Sequence, residues 1–243
     1  MPSGATAETA AALLRNIELH TGRGAVYHDA ALPAARCANR ALCDFCRACL
    51  DRPETAALCR ISVLNAAAHS LLLGEAFYYT CWAGLVFITV AIAPRRILRG
   101  GIALGGFCAP GDEASLRQVV VDRLPPSLPP GARHTFLDRL KSIRPIAPGE
   151  LRGLGPFVLE ATFSSGLNAA ADFRRQADRH AQQRAIAEAA AALKRKPQAH
   201  LPARAEALVA AWSGSGPITA LRRDTATHLA ALLQQSAWDL LRF

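Results

Sequence analysis

The chain has 243 residues, 51% of them apolar and 19% charged, with a formal net charge of +9. That much apolar material supports a sizeable core and excludes a disordered or fibrous chain. Residues 1–170 carry 17 basic and 13 acidic side chains and the remainder 11 and 6, with no basic run longer than Lys194-Arg195-Lys196. A DNA reader concentrates its charge on a recognisable motif, so a mildly basic solvated surface is the better reading.

In chain order, residues 9–20 read as an amphipathic helix with Leu13, Ile17 and His20 on one face, stopped at Thr21-Gly22. The residues before it lack the basic start and long apolar core of a secretory signal. Residues 24–28 read as a short strand, 29–36 as a loop around Pro33, and 37–52 as a helix bearing cysteines. Pro53-Glu54 opens a further helix that runs to Gly74. Residues 76–93 are uncharged and near the length that spans a bilayer. Their β-branched and aromatic content, with Gly84 in the middle, predicts two buried strands instead, 77–80 and 86–91. Another strand follows at 102–107.

Short helices are expected at 113–123 and 133–143 in a proline-punctuated stretch, and another helix at 149–166. From Asn168 the composition turns to Ala, Arg and Gln, which predicts a long helix ending before Pro197. A helical hairpin follows, with Leu201, Ala205, Leu208 and Trp212 on its first arm and Ile218, Leu221, Leu229, Leu232 and Leu240 on its second. The expected organisation is a domain over 1–167 and a helical tail over 168–243.

Five segments in order carry a resemblance. They are Asp44-Phe45-Cys46-Arg47, then Cys59, then Tyr79-Thr80-Cys81-Trp82-Ala83-Gly84-Leu85, then the apolar stretch 102–106 ending in Gly105-Gly106. The last is Ile143-Arg144-Pro145-Ile146 followed by Glu150. The set, spanning about residues 9–167, resembles the PocR sensory domain of bacterial regulators, except that Trp82 stands where that family usually carries His. The resemblance implies an α+β fold, a PAS-like mixed sheet flanked by helices, followed here by an all-helical tail. It also implies sensing of simple hydrocarbon derivatives such as small diols. The tail resembles the helical segment that often follows this domain in AraC-type regulators, without the pair of helix-turn-helix units that comes next there. With no direct nucleic-acid-binding motif, the output is expected through a regulatory partner protein or a homodimer, in the cytoplasm and with no membrane part.

Tyr79, Cys81, Trp82, Gly84 and Leu85 are the expected wall of the ligand site, Tyr79 offering a hydroxyl and Gly84 a close backbone approach. Plain core packing explains the same residues. The seven cysteines are an odd count, several too close together for a secreted disulfide scaffold, and so point to a reducing compartment. Cys43, Cys46 and Cys49, spaced by three on one side of a helix, join Cys59 and Cys81 as candidate ligands for zinc or an iron–sulfur cluster. That gives the alternative reading of a cysteine-ligated redox sensor or accessory factor. Against it, isolated cysteines are often small buried hydrophobes. No enzyme is expected: no His-x-x-x-His pair, phosphate loop or nucleophile elbow occurs.

Overall fold

Strands buried along nearly their whole length need cover on both faces, and two such strands organise this protein. A computed structural model describes residues 3–32 and 36–195. In it β4 (Val86–Ile92) and β5 (Gly100–Cys108) lie side by side at the centre of a sheet. The order is β2-β1-β5-β4-β3, with β1 at Ala25–Asp29, β2 at Arg36–Ala38 and β3 at Phe77–Thr80, all antiparallel. A two-residue β6 (Arg144–Pro145) adds in parallel beside the end of β5. The sheet is therefore mixed, and the fold is α+β and PAS-like, as the resemblance implied.

Side chains alternate across a strand, which divides the interior into two cores. On one face Tyr27, Ile88, Val90, Ile102 and Leu104 pack against Leu13, Leu14 and Ile17 of α1 (Ser3–Thr21) and Val158 of α6 (Pro148–Ser164). On the other, Val26, Phe87 and Ala103 meet four helices. These are α2 (Asp44–Asp51), α3 (Pro53–Leu73), α4 (Glu113–Arg123) and α5 (Pro130–Arg139), which contribute Phe45, Val63, Val120 and Phe136. The functional residues lie on this second face.

Residues 76–93 form β3, a turn and β4, as expected. Among the described residues α3 is the one helix long and apolar enough to cross a membrane. Here Val63, Ala66, Ala67 and Ser70 of α3 are buried, and Ser70 Oγ accepts the Ala91 N–H of β4 at 3.2 Å. Gly74 ends it in the left-handed conformation.

Two expectations fail locally. Residues 37–52 are not one helix: β2 runs to Ala38, a turn follows, and α2 starts only at Asp44. Buried Asn39 is the physical reason. Its Oδ1 accepts the Ala25 N–H at 3.0 Å, and its Nδ2 donates to the carbonyls of Leu14 and Arg23. A side chain so spent on another segment's backbone breaks the helix it was assigned to. The second difference is at 143–146, where the expected helix over 133–143 and the resemblance gave no strand. Those residues instead dock on β5, with the Ile146 N–H donating to the Cys108 carbonyl, and α6 starts at Pro148.

The chain divides into two units, Met1–Arg174 and Arg175–Phe243. The last described helix, α7 (Ala170–Arg195), begins in the first and continues into the second. Asn168, just before it, holds the end of α6 to β4: its Oδ1 accepts the Ala93 N–H and its Nδ2 donates to the Ala91 carbonyl, at 2.8 and 2.7 Å. The helical hairpin expected beyond Pro202 lies outside the described residues.

Candidate functional site

The turn between β3 and β4 is built by its own backbone and one sulfur. The Cys81 N–H donates to the Leu85 carbonyl at 2.8 Å and the Gly84 N–H to the Cys81 carbonyl at 2.9 Å. Gly84 has φ +85, and a Cβ there would lie 2.8 Å from Val119 Cγ1 of α4. Gly84 thus serves the turn and the approach of α4, and it is not part of the cavity wall. The backbone N–H groups of Ala83, Gly84 and Leu85 act on the Cys81 sulfur, lowering its pKa against the larger effect of burial.

This turn closes one side of a cavity of about 30 Å³ on the second face of the sheet. Phe45, Cys46 and Cys49 come from α2, Cys59, Ser62 and Val63 from α3, Val26 and His28 from β1, and Phe87 from β4. Tyr79, Cys81, Trp82 and Leu85 complete the wall, so four of the five expected ligand residues face one space. Its surface is almost wholly apolar, with room for roughly two waters. Beyond Tyr79, Cys81, Trp82 and Ser62 lies a more open concavity of about 340 Å³, which adds Asn65, His69, Thr80 and Arg123.

Trp82 stands between the two spaces and is tied down on three sides. Its backbone N–H donates to Ser62 Oγ and its indole Nε1 to Cys59 Sγ, both at 3.3 Å, and its carbonyl accepts from Arg123. Tyr79 shares the wall with two other polar side chains, His28 and Ser62. Its hydroxyl is enclosed and makes no hydrogen bond, as is also true of Thr89. Burial pushes the phenol well up; Thr89 partly offsets this without completing a hydrogen bond. His28, Ser62, Phe45 and Phe87 were not expected at the site. The signal for His28 was present, because it alternates with Val26 onto the same face of β1.

The candidate metal ligands also converge, but in pairs. Cys46, Cys49, Cys59 and Cys81 line the cavity, and Cys43 caps the start of α2. Cys46 interacts with Cys43, and Cys49 with Cys59, through their side chains. Among the described residues no group of three or more His, Cys, Asp or Glu is disposed to hold a metal ion. Burial pushes Cys81 up to about 12 and Cys49 well above the usual thiol range; Cys46 is raised by its bond to Cys43 and then by burial. These are neutral thiols at pH 7, a dry sulfur wall.

Cys81 separates the two uses of that wall. Cys81→Ser keeps a polar atom beside the turn N–H groups and should change stability by less than about 1 kcal/mol. Cys81→Ala removes it, together with the sulfur's packing, and should cost about 1–3 kcal/mol, with iron and zinc content the same in all three proteins. Metal bound by the unmodified chain and lost from Cys81→Ser would instead support the cluster reading.

A small, almost wholly apolar cavity between the sheet and its helices, with the unbonded Tyr79 hydroxyl in its wall, has the form of a small-ligand site. Residues 20–121 match the family model of the sensory domain found in PocR. Every residue named above as lining the smaller cavity lies within that stretch. No curated protein and no solved structure matches the chain. The match supports a sensing role in signalling, a role that implies a small ligand and points away from catalysis.

Proposed function

We propose that the protein is a cytoplasmic sensor of a simple hydrocarbon derivative, a molecule with a short apolar body and at least one hydroxyl. It reports occupancy to a regulatory partner protein or a second copy of itself, in signal transduction or transcriptional regulation. The observation that carries this reading is the enclosed Tyr79 hydroxyl, without a hydrogen-bond partner, in a wall whose other polar side chains are His28 and Ser62. An unmade buried hydrogen bond costs about 1–3 kcal/mol, which a ligand hydroxyl recovers. The six described cysteines are free thiols, in keeping with a reducing compartment.

The empty cavity is smaller than a diol, so a ligand must widen it. That is how binding becomes a signal: a molecule that fits only the widened arrangement shifts the population toward it. The walls that move are α2 and α3, joined at Arg52-Pro53 and held there by Thr55 Oγ1, which donates to the Cys49 carbonyl at 2.7 Å.

The test is thermal melting and calorimetric titration of the reduced full chain with short 1,2-diols and primary alcohols. The expected result is a raised melting temperature, with binding weakened about tenfold, or roughly 1.4 kcal/mol, in Tyr79→Phe. Equal binding by Tyr79→Phe removes Tyr79 from the site. No response to any short alcohol or diol at millimolar concentration overturns the reading.

A further inference from the structure

We propose that Cys43 and Cys46 form a reversible oxidation site, a dithiol that a hydroperoxide converts to an intramolecular disulfide at the rim of the cavity. This goes beyond ligand sensing and does not depend on which molecule the cavity holds. Cys43 is the N-cap of α2, in extended conformation, and its sulfur accepts the Cys46 backbone N–H at 3.4 Å. Cys43-Asp44-Phe45-Cys46 is thus a Cys-x-x-Cys sequence wound into a helix start, a setting in which the first sulfur is stabilised as thiolate.

A second element independently brings the two sulfurs together. The register between β4 and β5 slips at Val86/Phe87, which leaves Gly106 as an extra residue with φ +86. A Cβ at Gly106 would lie 3.1 Å from Cys43 Sγ and 3.1 Å from Cys46 Sγ. Both sulfurs converge on one bare patch of backbone. Their access differs: Cys43 is half-buried, whereas Cys46 is buried and faces the cavity. The Cys46 thiol lowers the pKa of Cys43 and has its own raised in return. One sulfur is placed to attack and the other to resolve.

In the first step the Cys43 thiolate attacks the outer oxygen of the hydroperoxide. The O–O bond breaks, the alcohol or water leaves, and Cys43 becomes a sulfenic acid. The Cys46 sulfur then attacks the Cys43 sulfur, the S–O bond breaks, and water departs with the Cys46 proton. Two thiols lose two electrons and the peroxide bond gains them. A dithiol reductant reverses the change by exchange. Oxidation ties Cys46 to the rim and removes its S–H from the cavity wall.

The peptide between Arg40 and Arg47 tests this directly, because residues 41–47 contain Cys43 and Cys46 and no other cysteine. The full chain is reduced, treated with one equivalent of hydrogen peroxide, alkylated and digested with trypsin without reductant. The expected peptide carries no alkyl group and is lighter by two hydrogen atoms, and dithiothreitol before alkylation restores two alkylated thiols. In Cys46→Ser the reaction should stop at a Cys43 sulfenic acid that dimedone traps. Two alkylated cysteines after peroxide, a disulfide to any other cysteine, or a sulfenic acid on Cys46 overturns the proposal. The unmodified chain alone decides it if a variant does not fold. Failure of diols to bind leaves this result untouched.

Discussion

Raising the pH from about 9 to about 12 should unfold the reduced sensory unit. Burial pushes the Cys81 thiol from an ordinary value of 9.0 up to about 12, so over that window the folded chain keeps a proton that the unfolded chain releases. Stability then falls as pH rises: the Cys81 contribution is whole below about pH 9 and gone near 12. Three pKa units correspond to roughly 4 kcal/mol, an order-of-magnitude figure for this thiol alone. Cys46, Cys49 and Tyr79 shift the same way. Cys43 is the exception. Its lowered pKa gives a contribution already complete above pH 9 and lost only as pH falls. A domain stable by about 5–15 kcal/mol does not survive several such losses. Near-ultraviolet circular dichroism under reductant should show one cooperative loss of tertiary signal in this range. Early thiolate absorbance from Cys43 is expected; thiolate absorbance that Cys81→Ser lacks, appearing well before that loss, would mean that Cys81 is wet and the wall open to solvent.

The elements a single chain segment specifies were legible in the sequence. Pro53 at a helix start, Gly74 at its end and the β-branched run from Val86 each act on their own neighbours, and each falls where the local pattern puts it. What failed was set by distant partners. Asn39 breaks a helix because its amide satisfies backbone groups of residues 14, 23 and 25. Arg144-Pro145 becomes a strand because the end of β5 offers an unpaired edge. The site divides the same way. Tyr79, Cys81, Trp82 and Leu85 share one hairpin turn and were found through its motif. Phe45, Ser62 and His28 reach the cavity from three other elements, and only the assembled sheet brings them there. Gly84 looked like a ligand contact because glycine marks any close approach. The approach here is by Val119. The pairing of the thiols was equally hidden, since it depends on an extra residue in β5 that no cysteine spacing encodes.

Phe45→Ala should destabilise the protein by about 3–5 kcal/mol and at the same time turn the cavity into one that accepts an aromatic ring. Phe45 is 1% exposed, its ring meets Phe136 edge-on at 5.9 Å between centroids, and it lines the sensory cavity. Removing it costs the transfer energy of the ring and leaves a void joined to the 30 Å³ already present. An apolar void of about 150 Å³ stays dry and binds benzene, so small aromatics should restore part of the lost stability. The parent chain should not respond, because its cavity is too small. The enclosed Tyr79 hydroxyl adds a finer expectation: benzyl alcohol should stabilise Phe45→Ala more than toluene does, and that difference should vanish in the double variant with Tyr79→Phe. Melting curves of the two proteins with the two ligands read all of this. A destabilised Phe45→Ala that no ring rescues would show α2 settling onto the gap. Equal rescue by toluene and benzyl alcohol would show an apolar hole with no polar anchor, and the sensing residue would then have to be sought elsewhere on the wall.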